Sequence, residues 1–74
     1  MSFKLTFSGD ISEARRKKNW TQQQVADHIS VDVRTYQNWE NAKKVPNLAG
    51  FYKVVNLLGL NPNDYCELFE DEES

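Results

Sequence analysis

The sequence predicts an all-α domain, compact and built of five short helices, with an extended N-terminal arm. Three observations carry that expectation. Apolar residues recur at three- and four-residue spacing from Ile11 onward, which gives each helix one buried stripe. A residue suited to capping, Asp10, Thr21, Asp32, Asn47 or Asn61, precedes each periodic stretch. The connecting segments are short, roughly two to six residues, as between neighbouring helices of one small domain. A chain of 74 residues is long enough for a single core and no more.

At the N-terminus Ser2-Phe3-Lys4-Leu5-Thr6-Phe7 alternates polar and apolar residues, and Ser8-Gly9 ends the run. Phe3, Leu5 and Phe7 fall on one side, as in a strand. A lone strand needs a partner edge, so residues 1–9 are expected to pack as an extended arm, with pairing to a second copy or disorder as the alternatives. Asp10 then caps a first helix over residues 11–18, with Glu13 completing a capping box. Ile11 and Ala14 face inward, and Arg15-Arg16-Lys17-Lys18 stands at the C-terminal end, where the helix dipole favours cations. Asn19-Trp20 closes this helix, with Trp20 toward the core.

Thr21 caps the second helix, with Gln24 three residues on, and Val25, Ala26 and Ile29 form its buried stripe. Ser30-Val31-Asp32 breaks the periodicity. Asp32 caps a third helix, residues 32–41, on which Tyr36 and Trp39 lie inward while Val33, Arg34, Gln37 and Asn38 share the opposite side. Asn41-Ala42-Lys43-Lys44-Val45-Pro46 is a basic loop stopped by proline. Asn47 caps a fourth helix, residues 48–58, expected to bury Leu48, Phe51, Val54, Val55 and Leu58. Gly59 ends it in the left-handed conformation. Asn61 and Pro62 start a fifth helix, with Tyr65 and Leu68 inward. The domain proper spans 10–69, and residues 70–74 form an acidic, solubilising tail whose alternative role is to fold back on the basic face.

The formal net charge is −2, which by itself argues against an anionic partner. Its distribution reverses that. Asp64, Glu67, Glu70, Asp71, Glu72 and Glu73 crowd the end, while residues 1–63 hold all nine basic residues against five acids, a local charge of +4. Local sign governs phosphate contact more than the whole-chain isoelectric point does. Cys66 is a lone cysteine and no apolar run approaches membrane-spanning length, so the expected setting is cytoplasmic, away from any membrane. Residues 1–10 lack a signal-like pattern. His28 has no second ligand at metal-binding spacing. No serine pairs with a histidine and a carboxylate, and no glycine-rich phosphate loop occurs. Neither catalysis, nor a cofactor, nor a metal, nor a small-molecule ligand is expected.

A short helix that offers Arg, Gln and Asn from one face carries the donors and acceptors that read base edges in a major groove. Solvated helix faces look similar, so the surrounding pattern decides. That pattern comprises Ala14-Arg15, Thr21-Gln22, Val25-Ala26 with Val31, Trp39-Glu40-Asn41, Pro46-Asn47-Leu48 and Leu58-Gly59-Leu60. In order and spacing, residues 11–68 resemble the lambda-repressor-like helix-turn-helix domains of phage repressors, Cro proteins and bacterial regulators of the xenobiotic-response-element (XRE) type. The resemblance implies a sequence-specific DNA-binding transcriptional regulator. It puts Val33, Arg34 and Asn38 at base-reading positions, with Gln37 on the same face. Arg34 suits guanine, Asn38 adenine, and Val33 a thymine methyl. It makes Gln22, Lys43 and Lys44 contacts to the DNA backbone, and Arg15 and Glu40 a structural salt bridge. Three positions depart from the pattern. Ser30 and Ala42 stand where glycine is usual. Val33 cannot make the hydrogen bond to Gln22 with which some relatives brace a base-reading side chain.

The implied partner is double-stranded DNA, bound by a homodimer on a palindromic operator. Leu57, Leu60 and Phe69 are candidates for the dimer contact, with Phe3, Leu5 and Phe7 as a second set. No further ligand-binding domain is expected within these 74 residues. The alternative is a protein-interaction module on the same fold, such as an antitoxin that masks a partner.

Overall fold

The computed structural model describes residues 3–65, and all regular structure among them is helical. Four α-helices, α1 (Phe3–Lys17), α2 (Gln22–His28), α3 (Val33–Glu40) and α4 (Leu48–Leu58), are followed by a 3-10 helix, Pro62–Tyr65. That single turn stands where a fifth α-helix was expected. The readings placed on Cys66, Leu68, Phe69 and the acidic tail lie outside the described residues.

The extended arm is not observed from residue 3 onward. Residues 3–9 form the opening turns of α1, which runs unbroken through Asp10. Spacing explains the difference. Phe7, Ile11 and Ala14 are four and three apart, the helical interval, and Phe7 and Ile11 are fully buried. A helix also satisfies its backbone groups internally, whereas a lone strand would leave an unpaired edge. Asp10 therefore caps nothing. It sits inside the helix and accepts a hydrogen bond from the Tyr65 hydroxyl (2.5 Å), which ties the 3-10 turn to α1.

Every helix contributes to one core, formed by Phe7, Ile11, Val25, Ala26, Ile29, Tyr36, Trp39, Phe51, Val54, Val55, Leu58 and Tyr65. At one end the rings of Phe7, Phe51 and Tyr65 meet with centroids 5.4–6.0 Å apart. Gly50 lets α4 approach Trp39, since a Cβ there would come within 3.1 Å of the indole. Leu48, expected inside, is 54% exposed, and Tyr52 one turn later is 47% exposed. The two flank α4 away from the Phe51–Val54–Val55–Leu58 stripe. Leu57 and Leu60, in contrast, are half-buried against the core.

All four α-helices stop in the same way. A left-handed residue follows each one: Asn19 (φ 59°), Ser30 (60°), Ala42 (61°) and Gly59 (74°). The next N–H then reaches back to the last turn, as Trp20 to Arg15 O, Val31 to Ala26 O, Lys43 to Asn38 O and Leu60 to Val55 O. This is the Schellman arrangement. Only one of the four positions is glycine, so at Ser30 and Ala42 the geometry is kept against a Cβ penalty.

Candidate nucleic-acid interface

The unit α2–turn–α3 is built by short-range hydrogen bonds. Thr21 Oγ1 accepts from Gln24 N–H (3.1 Å) while Gln24 Oε1 accepts from Thr21 N–H (2.8 Å), a complete capping box. Asp32 Oδ1 accepts from Arg34 N–H at 2.9 Å and starts α3. Between them, left-handed Ser30 turns the chain within residues 29–32 and fixes the angle between the helices.

On α3 the buried Tyr36 and Trp39 anchor the inner side, with rings 6.0 Å apart. Of the expected base-reading residues, Arg34 is exposed, whereas Val33, Gln37 and Asn38 are half-buried and Val33 packs against the core. The loop after α3 carries exposed Lys43 and Lys44. Both backbone N–H groups donate to the Asn38 carbonyl, at 2.9 and 3.3 Å, so the basic loop is tied to α3 itself. His28 is exposed and stacks on Trp20, centroids 4.8 Å apart. Sequence spacing gave no sign of that pairing.

Behind this face lies an ion pair. Arg15 grips Glu40 through Nε–Oε2 (2.6 Å) and Nη2–Oε1 (3.2 Å), and its Nη1 donates to the Trp20 carbonyl (2.8 Å). The two side chains are only 13% and 5% exposed. Burial acts to raise the Glu40 carboxyl, but the Arg15 guanidinium, the neighbouring Tyr36 hydroxyl and the Gln22 amide together outweigh it and hold the group below its ordinary value. The hydrogen bond to Glu40 raises Arg15 further. The Tyr36 hydroxyl lies near this pair, buried and without a partner in hydrogen-bond geometry. Burial pushes its ionisation upward.

Gln22 continues the network. Its Nε2 donates to Glu40 Oε1 (3.0 Å), and its Oε1 accepts from Gln37 Nε2 (3.1 Å). Gln37 thus makes the bond to Gln22 that Val33 cannot. The sequence singled out both glutamines, but their contact joins residues on different helices, and no spacing signalled it. Among the described residues no helix is long and apolar enough to cross a membrane, and no group of three or more His, Cys, Asp or Glu could hold a metal.

A family model described as a helix-turn-helix domain matches residues 10–72. The cryptic phage CTXphi transcriptional repressor RstR of Vibrio cholerae is 23% identical to this chain over 64 residues, which cover 86% of this chain and 57% of the relative. The chain therefore matches a little over half the length of that relative. No solved structure matches.

Proposed function

The chain belongs to the helix-turn-helix domain family, of the DNA-binding XRE and Cro-like type, and from that premise we propose that it is a sequence-specific transcriptional regulator. In this reading α3 enters the major groove. The observation that carries it is the arrangement of α3: an exposed Arg34 beside Gln37 and Asn38, on a helix clamped from behind by Arg15–Glu40 and joined to Lys43 and Lys44 through the Asn38 carbonyl. Arg34 takes guanine O6 and N7, Asn38 takes adenine N6 and N7, and Val33 meets a thymine methyl. Lys43 and Lys44 hold phosphates and set the register without reading sequence. Two copies bind a palindrome with half-sites about one helical turn apart. Likeness to a phage transcriptional repressor supports the regulatory role.

Two substitutions separate reading from holding. Arg34→Ala is expected to lose about 1–3 kcal/mol of discrimination at one guanine per half-site. Lys43→Ala is expected to weaken all sequences alike and lower the salt slope by about one. An Arg34→Ala variant that weakens every sequence equally contradicts the assignment. A second reading, a protein-interaction module, is favoured by the exposed Leu48 and Tyr52 on α4. It predicts that Arg34→Ala leaves every binding activity intact.

A further inference from the structure

A groove of about 500 Å³ runs between the second half of α1 and the end of α4. Ala14, Leu58 and Leu60 supply its apolar part, and Gly59 adds no side chain there. We infer that this groove seats a second copy of the chain, with the two α1 helices antiparallel about a two-fold axis near Ala14. This rests on the homodimer of the reading proposed above and names its contact.

The order of charges selects this occupant. Asp10, Glu13, Ala14, Lys17 and Lys18 line the groove at helical spacing, with the acids before Ala14 and the lysines after it. Reversed end for end, that stripe is its own complement. Asp10 and Lys18 each stand four residues from Ala14, about 6 Å along the axis, so a two-fold there sets one opposite the other. Glu13 and Lys17 then face each other with an axial offset of about 3 Å, within reach of two long side chains. Parallel helices would set lysine against lysine, so the charges oppose that orientation. An isologous contact uses one patch twice, and a second copy carries the matching order by construction. The side chains are available for it. Lys17 and Glu13 are 75% and 69% exposed, and their own contact at 3.2 Å within the helix is an exposed pair that contributes little. Arg15, two residues from each, points to the other side of α1 and meets Glu40 of α3. A copy seated on the groove therefore lies across α1 from α3 and leaves Arg34, Gln37 and Asn38 uncovered. The apolar part is modest, which puts the contact at the small end of interfaces and makes it depend on concentration.

The test is sedimentation equilibrium of the full chain without DNA, over about a hundredfold range of concentration, with thermal unfolding of each protein as a control. The wild type should pass from one chain to two as concentration rises, and high salt should weaken the pairing. Glu13→Lys and Lys17→Glu each set like charges across the axis and should raise the dissociation constant by about tenfold or more. Mixed in equal amounts, the two variants should recover the wild-type affinity, because each offers the charge that the other lacks. A change confined to one helix would not give that recovery, since positions 13 and 17 repel within either variant whatever its partner. A wild type that stays monomeric, variants that pair as tightly as the wild type, or a mixture that stays dissociated would each overturn the inference. None of these outcomes involves DNA. Failure to select an operator would overturn the DNA reading and leave the contact between copies standing, so the two failures are told apart.

Discussion

Glu40 is held by Arg15 and Gln22 and lies beside a buried tyrosine, so its loss strands a cation in a nearly closed site. Glu40→Ala is expected to cost about 3–5 kcal/mol in chemical denaturation, whereas a loss under about 1 kcal/mol would mark the pair as exposed. The same group sets an acid limit. Its folded-state carboxyl titrates below the unfolded value of about 4.3, so the unfolded chain takes up the proton first as the pH falls. The contribution is full above about pH 5 and declines as the pH drops through the folded-state value. Denaturation at pH 7 and at pH 3 should show the gap between wild type and Glu40→Gln narrowing in acid. The left-handed residues act in the opposite direction. Ser30→Gly and Ala42→Gly should each raise stability, by about 0.5–1 kcal/mol, by relieving a Cβ at φ 60° and 61°. An unchanged midpoint in both would mean that the strain is negligible. Much at this scale was legible in the sequence. Caps at Thr21, Asp32 and Asn47 depend on neighbours two or three residues away, and those neighbours are visible in any sequence. The Gln22–Gln37 bond was not legible, because it depends on how two helices cross.

At the scale of elements, α2, α3 and α4 begin and end where caps and periodicity put them, and α1 does not. The alternation Phe3, Leu5, Phe7 has period two, but Phe7 also starts the helical series Phe7, Ile11, Ala14, and the series that could bury its residues prevailed. Gly9 invited the reading of a break, yet it lies inside α1 on an exposed position, with nothing within 4 Å of where its Cβ would be. Gly9→Ala is therefore expected to stabilise the protein by about 0.5–1 kcal/mol. A destabilised variant would restore the turn. Phe7, fully buried, is not available for a contact between copies. The fifth helix illustrates the reverse case. Asn61 and Pro62 announce a start, and Asn61 Oδ1 accepts from Asn63 N–H at 3.0 Å, but the turn that follows is 3-10 and is held by a tyrosine reaching back to Asp10.

For the whole molecule, size is decisive. The helix proposed to read DNA, α3, has 8 residues and is about 12 Å long, the length of roughly four base pairs at 3.4 Å each. In that proposal one copy covers too little sequence to select a site, and the proposed dimer supplies the second half. Nothing in a single chain's periodicity reveals such an interface, because the faces that meet are also faces that water could cover. The local charge of +4 over residues 1–63 makes DNA binding possible without making it specific. The most direct test is selection of binding sites from a random DNA pool at about 0.15 M salt, followed by titration of the recovered site. Recovery of a palindrome with half-sites about one helical turn apart, bound by two copies of the chain, is the predicted result. Binding that falls steeply with salt but enriches no sequence, or no binding at all, would contradict the claim that this helix-turn-helix unit reads DNA.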